Sequence, residues 1–64
     1  MIKEYDVVRL EKLNHKIPIL IGTIGVVLIV YNNNPIELEV EFIDKKKQSL
    51  GNYTVNSDSI SLVN

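Results

Sequence analysis

The stretch from Gly22 to Asp44 constrains the fold of this chain more tightly than any other. It reads as a β-hairpin: Gly-Thr-Ile-Gly-Val-Val-Leu-Ile-Val-Tyr, the turn Asn32-Asn33-Asn34-Pro35, then Ile-Glu-Leu-Glu-Val-Glu-Phe-Ile-Asp. In the second arm Ile36, Leu38, Val40 and Phe42 share one face while Glu37, Glu39 and Glu41 share the other, the period of two that marks a strand with one buried side. Slipping by one residue would drive three carboxylates into the core, so the register is strongly fixed. The first arm is apolar on both faces, with Val26, Leu28 and Val30 expected to point one way and Val27, Ile29 and Tyr31 the other. Such a strand normally lies at the centre of a larger structure, so one of its faces needs a loop or a second molecule to cover it.

A larger structure is out of reach. The 64 residues make one domain, residues 1–64, and a domain of that size buries only about 60% of the surface its unfolded chain exposes. With no cysteine there is no disulfide and no thiolate metal site, so packing or a partner must supply the stability. Seven Lys and Arg against eight Asp and Glu leave a net charge of −1, which gives no counterion-release drive towards nucleic acid. Residues 17–31 are greasy, but they contain Pro18, Gly22 and Gly25 and fall short of the roughly 20 residues that span a bilayer, so no membrane segment is expected. The opening Met-Ile-Lys-Glu-Tyr-Asp places acids where a secretory signal is basic, and the lack of cysteine suits a reducing compartment. Cytoplasmic residence is the resulting expectation.

Along the chain, Tyr5 to Leu10 is short and rich in β-branched residues, which suits a first strand. Residues 11–20 hold neither a helical nor a strand period and read as a long loop, pinned down by Leu13, Ile17, Ile19 and Leu20. Gly22 and Gly25 mark a bulge or bend at the entry to the second strand. After the acidic third strand comes the polar turn Asp44-Lys45-Lys46-Lys47-Gln48, then a fourth strand over Ser49–Val55, the turn Asn56-Ser57-Asp58-Ser59 and a short fifth strand over Ile60–Val63. Five short strands with one long first connection predict an all-β fold, a small five-stranded SH3-like barrel with a long first loop. An open, twisted meander completed by dimerisation is the alternative.

Several segments resemble one family. Glu4-Tyr5-Asp6-Val7-Val8, Gly22-x-x-Gly25 followed by Val26-Val27, the Val30-Tyr31 exit, Val40-Glu41-Phe42-Ile43-Asp44, and Tyr53-Thr54-Val55 with Leu62-Val63 are similar to the bacterial domain of unknown function 4926 family. These motifs are structural rather than chemical. The resemblance implies a small SH3-like barrel and, from some members, a role as the neutralising partner in a bacterial toxin system. The chain departs from the family pattern at Thr23, where an acidic residue is usual, and at Val26, where threonine is usual, and Leu28-Ile29 make its second strand greasier, which favours contact with protein.

No catalytic set can be assembled. His15 is the lone histidine and sits in a loop, there is no cysteine, and no serine lies on a glycine-flanked elbow. The expectation is a non-enzyme with no cofactor. Nor is a metal site expected, because two-residue steps along a strand separate Glu37, Glu39 and Glu41 by about 7 Å, too far to ligate one ion unaided. A solvated strand face is the plain reading of that row. The sharper reading is recognition: like charges on a rigid strand steer a basic partner, such as a nuclease-like toxin whose cleft normally takes phosphate. The candidate partner-binding residues are Glu37, Glu39, Glu41, Asp44, Tyr31 and Ile29. A homodimer that buries Val27, Ile29 and Tyr31 is a further possibility. The opposing class, a nucleic-acid- or ribosome-associated barrel, rests on Lys45-Lys46-Lys47, a basic run beside an acid with Tyr53 as its nearest aromatic.

Overall fold

A computed structural model describes residues 1–32 and 35–63. The chain folds as one antiparallel sheet of five strands, β1 (Val7–Leu10), β2 (Ile24–Tyr31), β3 (Glu37–Ile43), β4 (Ser49–Asn56) and β5 (Ile60–Leu62). A single 3-10 turn, Ser57–Ser59, joins β4 to β5, where the sequence reads as a plain turn; Asn56 caps it by accepting the Asp58 N–H at 2.8 Å. The all-β class, the five strands and the long first loop agree with expectation. The strand order is β4-β3-β2-β1-β5, so the sheet curls without closing and β4 and β5 form its two edges. Of the expected 32–35 turn, Asn33 and Asn34 lie outside the described residues.

β3 holds the middle of the core. Leu38, Val40 and Phe42 are fully buried, as its alternation requires. Val8 and Leu10 of β1, Val27 of β2, Val55 of β4, Ile60 of β5 and Ile19 of the first loop complete the cluster. Ile36, expected in the inward set, lies just before β3 and is 43% exposed.

β2 departs from simple alternation. Val27 stands opposite Val40, but the next partner pair is Ile29 with Glu39, which leaves Leu28 as an extra residue in a β-bulge. A bulge reverses which residues face inward beyond it. Val27 therefore belongs to the core, fully buried, while Ile29 stays on the outer face at 43% exposure and Val30 packs against the core instead. The expected grouping of Val27 with Ile29 and Tyr31 is corrected accordingly. The bulge sits where β1 runs out: Val7, Val8 and Arg9 pair with Val26, Gly25 and Ile24, and Tyr5 N–H donates to the Val27 carbonyl at 2.7 Å. Tyr5 itself precedes the strand, with a left-handed φ of 68°.

Gly25 is no bulge residue. It faces inward opposite Phe42, where a Cβ would lie 2.5 Å from Val40 Cγ1 and 2.9 Å from the Glu41 carbonyl oxygen. The side chain is missing because the core of the next strand occupies its place. A second bulge does occur in β4, where Phe42 pairs with Gly51 and Ile43 with Ser49, leaving Leu50 extra. Gly51 takes up the turn with φ of 112°, and the Tyr53 ring lies over it.

The first loop is anchored at its ends and by two apolar side chains. Gly22 N–H donates to the Leu10 carbonyl at 2.7 Å, Leu10 N–H to that of Thr23 at 2.9 Å, and Glu11 N–H to that of Ser59 at 2.8 Å. Ile19 is buried and Ile17 packs against the core, but Leu13 and Leu20 are 56% and 78% exposed and pin nothing. A tight turn at residues 14–17, with Asn14 accepting the Lys16 and Ile17 N–H groups, holds the loop by polar contacts instead.

Candidate functional site

The outer face of β2, β3 and β4 gathers most of the residues expected to bind a partner. Down β3 run Glu37, Glu39 and Glu41, each half-buried by its cross-strand neighbours. On the β2 side Tyr31 stands opposite Glu37, Ile29 opposite Glu39, and Val26 opposite Glu41. On the β4 side the partners are Asn56, Thr54 and Asn52 in the same order. Neighbouring strands lie about 4.8 Å apart, so the face consists of three adjacent columns, one apolar, one acidic and one polar. Val7 of β1, paired with Val26, extends the apolar column by one more strand.

The acidic column is held in place by its surroundings. Thr54 Oγ1 donates to Glu39 Oε1 at 2.8 Å, which fixes the middle carboxylate against the polar column. Carboxylates spaced by about 7 Å repel by about 0.6 kcal/mol per neighbouring pair in water, less in salt. A cation laid across the column would relieve that repulsion.

Asp44 belongs to a different arrangement. Its Oδ1 accepts the N–H groups of Lys46 at 2.8 Å and Gln48 at 2.9 Å, and its backbone carbonyl accepts that of Lys47 at 2.9 Å. The carboxylate organises the β3–β4 turn and lies beyond Ile43 from the end of the acidic column. The turn presents Lys45, Lys46 and Lys47 to solvent. His15 is exposed in the first loop, away from any strand. Among the described residues no group of three or more His, Asp or Glu side chains is placed to hold a metal ion. No helix among them is long and apolar enough to cross a membrane.

Sequence reasoning missed the apolar end of this face. Ile24 pairs with Ile43 one rung beyond Val26 and Glu41, and Leu20, Ile21 and Leu50 crowd the same end. The signal for Leu20 and Ile21 was present as two aliphatics before a glycine, but aliphatics in a loop of a small domain read first as anchors. Leu50 stands three and five residues before Tyr53 and Val55, which face the core, so strand alternation alone turns it outward, a signal that its grouping within a mixed strand obscures. No family model matches the chain, and no curated protein or solved structure is found similar to it.

Proposed function

We propose that this chain is a non-enzymatic protein-binding module that lays its acidic β3 column, with Ile29 and Tyr31 alongside, over a basic site of a protein partner. In the reading we favour it is a bacterial antitoxin or immunity protein acting in the cytoplasm, and the partner is a toxin whose cationic cleft handles nucleic acid. One observation carries the proposal: the carboxylates of Glu37, Glu39 and Glu41 run beside an apolar column on the same open sheet face. Spaced carboxylates mimic a run of phosphates and steer association, while adjoining apolar side chains supply the buried area that holds the complex. The resemblance to the domain of unknown function 4926 family supports the same reading.

The test is kinetic. A partner captured from the source cell is purified, and its association with the wild-type chain is compared with that of a Glu37→Gln, Glu39→Gln, Glu41→Gln triple variant across a range of salt. The expected result is association slowed by about tenfold or more at low salt, with a flatter salt dependence. Unchanged kinetics would reject this docking face. Submicromolar binding of RNA or DNA by the wild-type chain at low salt would favour a nucleic-acid-associated barrel instead.

A further inference from the structure

We propose that the lysine-rimmed end of the sheet is a second site, a groove that binds an alkyl chain with an anionic head, taken up as a free medium-chain carboxylate. The groove has a volume of about 590 Å³, within the roughly 300–1,000 Å³ of small-molecule sites. Its walls are Leu20 and Ile21 from the first loop, Ile24 of β2, Ile43 of β3 and Leu50 of β4. Three of these stand in water, Leu20 at 78%, Ile21 at 56% and Leu50 at 43% exposure. Leu50 directly precedes Gly51, which faces the core opposite Phe42, so it points to the outer face beside Ile43.

The rim supplies the head-group chemistry. Asp44, Lys45 and Lys47 all line this end of the groove, two cations against one acid whose Oδ1 is committed to two turn amides. Lys47 has a left-handed φ of 64°. Glycine or asparagine adopts that conformation with far less strain, so a lysine there stands against the preference of the backbone. Strained residues of this kind cluster where side chains serve a ligand, and what lysine adds over glycine is an ammonium at the mouth of an apolar groove. Charge complementarity then selects an anion, and the walls select a hydrocarbon body.

An alkyl chain suits the walls better than a peptide. Buried peptide groups require hydrogen-bond partners, and the lining offers mainly aliphatic side chains. The groove is concave, which admits a single chain more readily than the flat surface of a bilayer. A fatty-acid carboxylate meets all three requirements.

Titration with decanoate, held below its micelle concentration and followed by methyl NMR of the intact chain, tests the proposal. Saturable shifts are expected at Leu20, Ile21, Ile24, Ile43 and Leu50. Decanol should bind about tenfold more weakly because it lacks the charge that the lysines meet. A Lys47→Gly variant should melt higher than wild type, since strain is relieved, and yet bind decanoate about tenfold more weakly. That opposite movement separates loss of a ligand contact from loss of fold. No saturable shift at millimolar decanoate, shifts centred elsewhere, or equal binding of decanol would overturn the proposal, as would wild-type affinity in Lys47→Gly. Co-sedimentation with phosphatidylglycerol–phosphatidylcholine vesicles without decanoate binding would assign the lysine end to a lipid surface and reject the free ligand. Displacement of decanoate by an equal concentration of an acidic leucine-containing peptide would assign the groove to a polypeptide.

Discussion

Ile29 stands directly across from Glu39 on the outer face of the sheet, although Val27, two residues earlier in the same strand, is wholly buried opposite Val40. Without the bulge at Leu28, Ile29 would follow Val27 into the core, and the acidic column would lack its apolar neighbour at the centre.

The bulge makes deletion of Leu28 unusually mild. Its removal leaves Val27 opposite Val40 and brings Ile29 next in line opposite Glu39, a regular ladder with every side chain still on its present face. The deletion variant should melt cooperatively and lose no more than about 2 kcal/mol, the contribution of one half-buried leucine. Deleting Val26 instead moves Gly25 out of its slot and should abolish cooperative unfolding. Denaturant unfolding of the two variants decides the matter, and a Leu28 deletion as damaging as the Val26 deletion would contradict the register.

Gly25→Ala should be costly for a chain so small. The new Cβ meets Val40 Cγ1 at 2.5 Å, the Glu41 carbonyl at 2.9 Å and Phe42 Cδ1 at 3.1 Å. Two of these are core side chains and one is backbone, so the strands must separate. Overpacking of this kind costs about 1–3 kcal/mol, which lowers Tm by roughly 10 °C in a domain of this length. An unchanged Tm would show that the two strands are not packed this closely.

Glu39→Gln should stabilise the free chain slightly at low salt. It removes repulsion with two neighbouring carboxylates, at most about 1.2 kcal/mol in water, and the amide oxygen can still accept from Thr54 Oγ1. The gain should vanish at high salt. Thermal melts at low and high ionic strength measure it, and a salt-independent change of either sign would place the effect in packing.

Acid stability should depend on Asp6. A hydrogen bond from the Lys3 ammonium and a second from the Lys3 backbone N–H hold its carboxyl below the ordinary value of 3.8. A lowered folded-state pKa contributes stability that is fully present above the unfolded value and lost as pH falls through the folded one. The Asp6→Asn variant should therefore show a flatter fall in Tm than wild type below about pH 4. The effect should be small, because Lys3 is solvated. Superposable acid profiles for the two proteins would remove Asp6 from the account.

What could be read from the sequence follows where hydrophobicity carries phase. β3 alternates strictly, so its inward set of Leu38, Val40 and Phe42 and its outward set of Glu37, Glu39 and Glu41 were both legible. β2 is apolar on both faces, so a one-residue phase change inside it leaves no trace, and the bulge at Leu28 was invisible. The second bulge at Leu50 is hidden in the same way, by a strand of mixed Ser, Gly, Asn and Thr with little pattern to break. Gly25 interrupts the apolar pattern of its strand, but the cause is close packing against Val40 and Phe42 rather than a bend. Of the candidate site, the acidic column was legible, whereas the apolar end depended on Leu20 and Ile21 being exposed, and nothing local to a loop tells an anchor from a free side chain.

The pairing of β1 with β5 carries a kinetic consequence. Leu10 lies beside Ile60, so these neighbours in the sheet lie at opposite ends of the sequence, and closing so long a stretch of chain costs entropy before any contact rewards it. The β2–β3 and β3–β4 hairpins need no such closure and can form first. Final assembly then requires the two outermost segments to find each other, and long-range pairing of this kind is expected to slow folding relative to the hairpins alone.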